Sequence, residues 1–265
     1  MVDNLINERI AKKIANSGLC SRREAERLIN NGCVKLNGNV IKNCNTNVTT
    51  KDIIEVNNQK LKEKEKVRLW LYYKKKGFLV TTKDTQGRPN IFDEIKLKVN
   101  KRLISIGRLD FNSEGLLLLT NNGDFARKLE LPQNKFQRTY KVRIFGTINN
   151  KIKDQLKNGI KVNSIKYKPI ELELEDEKGK NRWLTMRLYE GKNREIRKIM
   201  DHFGCTVNRL IRISYGPFNL KDLKPGQLTE LKYGIKVNSI KYKPIELELE
   251  EEKGKNRWLT MRLYE

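Results

Sequence analysis

The sequence predicts an α+β protein in two unequal parts, a small N-terminal α/β module and a larger domain built on a mainly antiparallel sheet with helices interspersed. Three observations carry that expectation. The first 58 residues alternate two helical stripes with short hairpin-forming strands. A charged stretch without apolar periodicity, QKLKEKEK at 59–66, then breaks the pattern. Beyond it, strand candidates outnumber helix candidates.

The elements follow in order. Residues 8–17, ERIAKKIANS, place apolar side chains at 10, 11, 14 and 15, the stripe of an amphipathic helix, and Gly18 ends it. Ser21 opens SRREAERLINNG with Glu24 three positions on, the spacing of a capping box, and Gly32 stands where a C-terminal cap belongs. CVKLNGNVIKN is two alternating segments around Asn37-Gly38, a hairpin signal, and IIEVN at 53–57 is a further strand. Residues 59–66 are expected to be a linker. VRLWLYYKKKGFLVT then opens a second domain, 67–233, on an apolar and aromatic strand. Strands are expected at 103–106, 115–120, 139–145, 169–174, 183–189 and 207–213, and helices at about 124–130, 150–158 and 193–203. Leu116 to Leu119, bounded by Gly115 and by Asn121-Asn122-Gly123, have the character of a strand buried on both faces.

Residues 234–265 repeat residues 159–190 with one difference, Asp176 against Glu251. A structural repeat tiles a domain and diverges, whereas this copy is nearly perfect and stops just before the GKNREIRK that follows the original. A recent tandem duplication accounts for it. The original's partners in the sheet are taken, so the copy is expected to form a hairpin, joined by EKGKN, that docks weakly or moves freely and adds nothing to function.

Composition narrows the function. The formal charge is +24, of which +23 lies in residues 1–233. Such an excess implies a polyanionic partner, most simply nucleic acid held partly through its phosphates, although a generally Lys-rich composition would inflate the same number. The four cysteines, at 20, 33, 44 and 205, form no CxxC pair and the first residues are polar and charged, so reduced thiols in a cytoplasm are expected, with no disulfide and no zinc site. No apolar run is long enough to span a membrane. The one histidine, His202, lies in a helical stretch, so chemistry must run on carboxylate, Tyr, Lys or Arg.

The stretch LCSRREAERLINNGCVKLNG, within residues 1–58, resembles the S-four RNA-binding module, whose paired helices present basic side chains to structured RNA. The resemblance implies that Arg22, Arg23 and Arg27 contact phosphates. Read without it, the same arginines are a solvated helix face.

Four stretches of the second domain, GRLDFNSEGLLLLTNNGDF, FQRTYKVRIFG, EGKNREIRKIM and NRLIRISYGPFNLKDLKPGQLTEL, resemble the RsuA/RluB type of pseudouridine synthase in wording and order, as does GRPNIFDEI at 87–95. Ser113 and Asn122 depart from that pattern, where Thr and Asp are usual. These enzymes isomerise uridine in ribosomal RNA: the N1–C1′ bond breaks, the base turns, and C5 is joined to C1′. That chemistry needs a carboxylate and a pocket for a free uracil, and no metal or cofactor.

The resemblance implies a role for each residue. Asp110 is the catalytic carboxylate, acting as nucleophile or as base. Arg197 is the cation that keeps it ionised in a dry pocket braced by the leucine strand. Tyr140 stacks on the flipped base. Leu210 closes the pocket, Arg108, two before Asp110 and on one strand face with it, fills the space the base leaves in the RNA, and Arg194 also binds substrate. Read alone, Asp110 is a turn or cap residue, Tyr140 a half-buried strand tyrosine, Arg194 and Arg197 helix-surface charges, and Leu210 core. The implied partner is ribosomal RNA or a pre-ribosomal particle, with the large-subunit RNA favoured by GRPNIFDEI and the small-subunit RNA as the alternative, and the chain is expected to act as a monomer. The competing function is a catalytically inactive RNA-binding assembly factor on the same fold.

Overall fold

The computed structural model describes residues 7–175 and 180–231, together with the backbone of the strands at 235–237, 245–249 and 259–263. The chain divides into two compact units. The smaller is formed by residues up to Arg68 with 99–104 and 121–123, and the larger by most of the remainder.

In the smaller unit, β1 (Glu8–Arg9) runs into α1 (Ile10–Asn16), and α2 (Arg22–Asn30) follows. Ser21 caps α2, its hydroxyl accepting the Glu24 N–H at 3.2 Å. Ile10, Ala11 and Ile14 of α1 form one core with Ala25 and Ile29 of α2, joined by Val34, Val48, Ile54 and Val56 from the strands. Those strands are β2 (Val34–Leu36), β3 (Asn39–Ile41), β4 (Asn47–Val48), β5 (Ile54–Val56) and β6 (Gln59–Lys60). Four of them form an antiparallel sheet in the order β3-β2-β5-β6, while β4 pairs with β1. Asn37 and Gly38 take φ of 49° and 84°, the left-handed pair of a type I′ turn. Asn57-Asn58, at 50° and 60°, repeat the device between β5 and β6. Gln59 and Lys60, the first residues of the charged stretch, are thereby drawn into the sheet. Pairing residues, not composition, decide where that sheet ends.

The larger unit holds β7 (Leu69–Lys74), α3 (Ile91–Lys96), β8 (Ile104–Ile106), β9 (Glu114–Thr120), α4 (Gly123–Glu130), β10 (Arg138–Phe145), α5 (Asn150–Lys157), β11 (Ile160–Val162), β12 (Ile165–Tyr167), β13 (Glu171–Leu174), β14 (Asn181–Leu188), α6 (Glu195–His202), β15 (Thr206–Tyr215), β16 (Phe218–Asn219) and β17 (Leu228–Glu230). Its sheet runs β13-β14-β10-β15-β9-β7-β17. Every step is antiparallel except β15–β9, which is parallel and brings Arg212 opposite Gly115. All seven residues of β9 are buried, Leu116 to Leu119 completely. Helices α5 and α6 pack on β13 and β15.

The parallel step depends on Gly115. Its φ is +103°, and a Cβ there would collide with the main-chain O and N of Arg212. Any larger residue would push β15 away from β9. On its other side β15 pairs with β10, and it carries an extra residue at Ile213, beside the Tyr140–Arg212 pair, and another at Asn208. Such bulges turn neighbouring side chains off the regular alternation.

The second copy of the duplicated segment supplies β18 (Ile235–Val237), β19 (Ile245–Leu249) and β20 (Leu259–Leu263). Leu247 pairs with Met261 as Leu172 pairs with Met186, so the register of the original β13–β14 pair is kept. The free edge of β20 is taken by β18, in parallel, where the original β14 is paired with β10. This third strand, which makes a separate three-stranded sheet, differs from the simple hairpin expected. The connecting EKGKN turns lie largely outside the described residues.

Candidate active site

A cavity of about 920 Å³ opens in the larger unit, at the large end of the range usual for ligand sites. Asp110, Tyr140, Leu210, Arg108 and Arg194 all line it. Five of the six residues singled out in this domain therefore converge, although they come from the loop before β9, from β10, from β15 and from the entry to α6. Arg197 is absent from the lining.

Asp110 is half-buried rather than sealed in a dry pocket. Residues 107–110 form an extended loop rather than a strand, because Gly107 is held off the sheet by its N–H bond to Glu130 at 2.6 Å. The alternation survives: Leu109 is buried, and Arg108 and Asp110 both reach the cavity.

What fixes Asp110 is the turn that follows it. The Ser113 N–H closes the turn on the Asp110 carbonyl at 3.0 Å. The Lys74 ammonium donates to the carbonyls of Asp110, at 3.0 Å, and Ser113, at 2.7 Å. The Gly77 N–H donates to the Phe111 carbonyl at 2.8 Å. Arg197 donates to the Asn112 carbonyl at 2.9 Å and to that of Val207 at 2.8 Å. Each carbonyl from 110 to 113 thus has a donor, and two of the donors are cations. The leucine strand follows this turn but does not itself hold the carboxylate.

Arg197 makes no ion pair with Asp110 among the described residues. Burial and the neighbouring Arg194 lower its guanidinium from the ordinary value, and Asp110 opposes them, so the two charges feel each other across the turn. Lys74, at the end of β7, was invisible to motif reading because it sits in a run of three lysines. It is wholly buried, and burial lowers its ammonium to about 8, against the pull of Asp110 and Glu114. Glu114, next along the chain from the turn, is clamped by Arg209 at 2.6 and 3.2 Å and by the Tyr73 hydroxyl at 3.2 Å.

Tyr140 and Leu210 are both buried in the cavity wall. Beyond them lie Arg138, Arg212 and Tyr215. Arg138 donates to the Tyr215 hydroxyl at 3.0 Å and to the Tyr189 carbonyl at 3.1 Å, and Tyr215 donates onward to the Leu129 carbonyl at 2.7 Å. The mouth carries exposed cations, Arg108 and Arg194, together with Lys192, whose ammonium is paired with Glu190 at 2.8 Å. Arg88, also in the lining, is paired with Asp84 at 2.6 Å.

On the smaller unit, Arg22, Arg23 and Arg27 stand exposed on α2. Arg22 and Arg27 make surface pairs with Glu26, at 3.6 Å, and Glu24, at 3.2 Å. Such pairs are weak enough to be exchanged for a phosphate.

No described helix is long and apolar enough to cross a membrane. The family model for RNA pseudouridylate synthase matches residues 68–202, and that for the S4 domain matches residues 8–54. An uncharacterised RNA pseudouridine synthase of Rickettsia bellii (strain RML369-C) is 48% identical over 224 residues, covering 84% of this chain and 96% of its own length. The ribosomal large subunit pseudouridine synthase B of Bacillus subtilis (strain 168) is 37% identical, covering 84% of this chain and 92% of its own. A crystal structure of a pseudouridylate synthase superposes with a TM-score of 0.59 at 24% identity, covering 84% of this chain and 96% of that one, which speaks to the fold. With matches of this extent around a cavity that gathers an aspartate, a tyrosine and a leucine from separate elements, the chain belongs to the RNA pseudouridylate synthase family and carries an S4 domain ahead of the synthase domain.

Proposed function

We propose that the protein isomerises a specific uridine of large-subunit ribosomal RNA to pseudouridine. The observation that carries this reading is the turn at 110–113, whose four carbonyls are all held so that Asp110 faces a cavity large enough for a flipped nucleotide. The relatives named for large-subunit RNA support the choice of substrate.

In this reading Asp110 is the carboxylate that opens the N1–C1′ bond, either by attack on C1′ or by taking a sugar proton. Tyr140 stacks on the base in the wall, and Leu210 limits the room in which it turns. Arg108 and Arg194 hold the displaced RNA at the mouth. Arg197 acts through the turn as a positioning residue. The S4 domain, with Arg22, Arg23 and Arg27, docks the enzyme on folded RNA or a pre-ribosomal particle. The protein works in the cytoplasm as a monomer without a cofactor.

Asp110→Asn tests this. Pseudouridine in large-subunit RNA, read by mass spectrometry after incubation with each protein, should be formed by the wild type and not by the variant, with affinity nearly unchanged. Appreciable turnover by the variant, or wild-type modification confined to small-subunit RNA, would overturn the reading.

A further inference from the structure

Arg212 lies in the wall of the same cavity and is 2% exposed. Its Nε donates to the Leu116 carbonyl at 2.7 Å, which locks the guanidinium to the buried strand β9. Its Nη2 is sealed from solvent without a partner, and among the described residues it makes no ion pair with a carboxylate. Its other neighbour is the ring of Tyr215, 5.2 Å away, whose hydroxyl already serves Arg138 and Leu129. The guanidinium thus brings a positive charge into this wall, with one of its nitrogens left for a partner that the protein does not supply. Burying a charge without a partner is costly, so a group that completes its bonding from outside has a reason to be met there.

The placement says which anion. Arg212 is paired across the sheet with Tyr140, the residue expected to stack on the base, and is set there by the Ile213 bulge and by the close approach that Gly115 permits. The cations suited to phosphates, Arg108 and Arg194, are exposed at the mouth. A phosphate, which keeps its solvent, belongs with them. The base goes deeper. When N1–C1′ breaks heterolytically the bonding electron pair stays on the uracil, and the negative charge spreads over O2 and O4. Later C5 supplies the pair that bonds to C1′, the C5 proton leaves and N1 takes one up, so the charge on the base is transient.

We propose that Arg212 is a catalytic residue of the reaction proposed above, on which this inference rests: the small part of its guanidinium that reaches the cavity meets a carbonyl oxygen of the uracil and stabilises the detached base as an anion while it turns. If that oxygen is O4, the same donor also distinguishes uracil from cytosine, which presents an amino group there.

The test uses the full-length protein with Arg212→Lys and Arg212→Gln, on the RNA that the wild type modifies. Both variants should bind that RNA with unchanged salt dependence, and the single-turnover rate should fall about 100-fold, the usual effect of removing one donor to a developing oxyanion. Substrates carrying 2-thiouridine or 4-thiouridine at the target give the decisive comparison, because sulfur accepts hydrogen bonds poorly. At one of the two positions the oxygen-to-sulfur rate ratio should be about tenfold larger for the wild type than for the variants. Equal ratios at both positions overturn the proposal. So does a loss of affinity with a shallower salt slope, which would mark a phosphate contact, and so does unfolding of both variants, which would mark a strut between β9 and β15. Absence of wild-type turnover on any uridine RNA counts instead against the proposed function.

Discussion

Lys74 donates to the main-chain oxygen of Asp110 at 3.0 Å from a position with no solvent exposure, and it serves the carbonyls of Lys75 and Ser113 as well. Lys74→Met should leave all three without this donor, at about 1–3 kcal/mol for each one left unsatisfied, and recover only the desolvation cost of one ammonium. A net loss on the order of 2 kcal/mol is expected by urea denaturation, with turnover down at least about tenfold and RNA affinity preserved. The pH dependence has two signs. The folded value, about 8, lies below the ordinary 10.5, so the unfolded chain binds more protons between them. The contribution of Lys74 to stability is therefore full above 10.5 and lost as pH falls through 8. Turnover should move the other way, falling above pH 8 as the amine keeps two N–H groups for three carbonyls. A wild-type rate that stays level from pH 7 to about 9.5 would sink this account of the turn.

Gly115→Ala is the substitution the sheet should tolerate least. It combines a positive φ with a Cβ driven into the main chain of Arg212. A cost of about 3 kcal/mol or more is expected. Thermal melting checks it, and a change under about 1 kcal/mol would mean that β9 and β15 can part without penalty.

Glu195 stands at the start of α6, 3% exposed, with one oxygen accepting the Lys192 N–H at 2.9 Å and the other buried without a partner. Burial pushes its carboxyl up to about 7, with Glu190 adding and Lys192 opposing. The folded state then binds more protons than the unfolded chain between the ordinary 4.5 and 7, so stability should fall as pH rises through that window and level off above it. Glu195→Gln should flatten that slope and gain on the order of 1 kcal/mol at pH 8. Melting curves of both proteins from pH 5 to 8 decide; parallel curves would show that Glu195 is ionised throughout.

The exposed arginines of α2 are expected to contribute affinity and no chemistry. Replacing Arg22, Arg23 and Arg27 together by Ala should weaken RNA binding and reduce the slope of log affinity against log salt by roughly one for each phosphate left unneutralised. The single-turnover rate at saturating RNA should not change. An unaltered slope would mean that this face of the S4 domain does not touch the RNA backbone.

The elements with strong periodicity or caps were legible in the sequence. The Ser21 cap, the Asn37-Gly38 turn and the strand Leu116–Leu119 are local chemistry, and each lies where its residues place it. The motif residues converged for a different reason: their wording matched one family's pattern, and the cavity shows five of them together. What could not be read was partnership over distance. Lys74 and Asp110 are 36 residues apart, Arg212 and Leu116 are 96 apart, and nothing in either neighbourhood announces the other. Arg197 was expected to pair with the Asp110 carboxylate. It holds instead the carbonyl two residues on, a difference that motif spacing cannot encode.

The duplicated segment sets the same residues in two surroundings. Ile160-Lys161-Val162 pair antiparallel with Ile165-Lys166-Tyr167, whereas the identical Ile235-Lys236-Val237 run parallel to Leu259-Thr260-Met261. The tripeptide therefore does not choose its own neighbour; the vacancy beside it does. The molecule thus contains a built-in control for context, with intrinsic preference cancelled at every position but Asp176 and Glu251. Segmental isotope labelling, followed by amide exchange in each copy, should report slower exchange for Leu184–Met186 than for Leu259–Met261. The difference would measure what a long strand contributes over a three-residue substitute at the same edge.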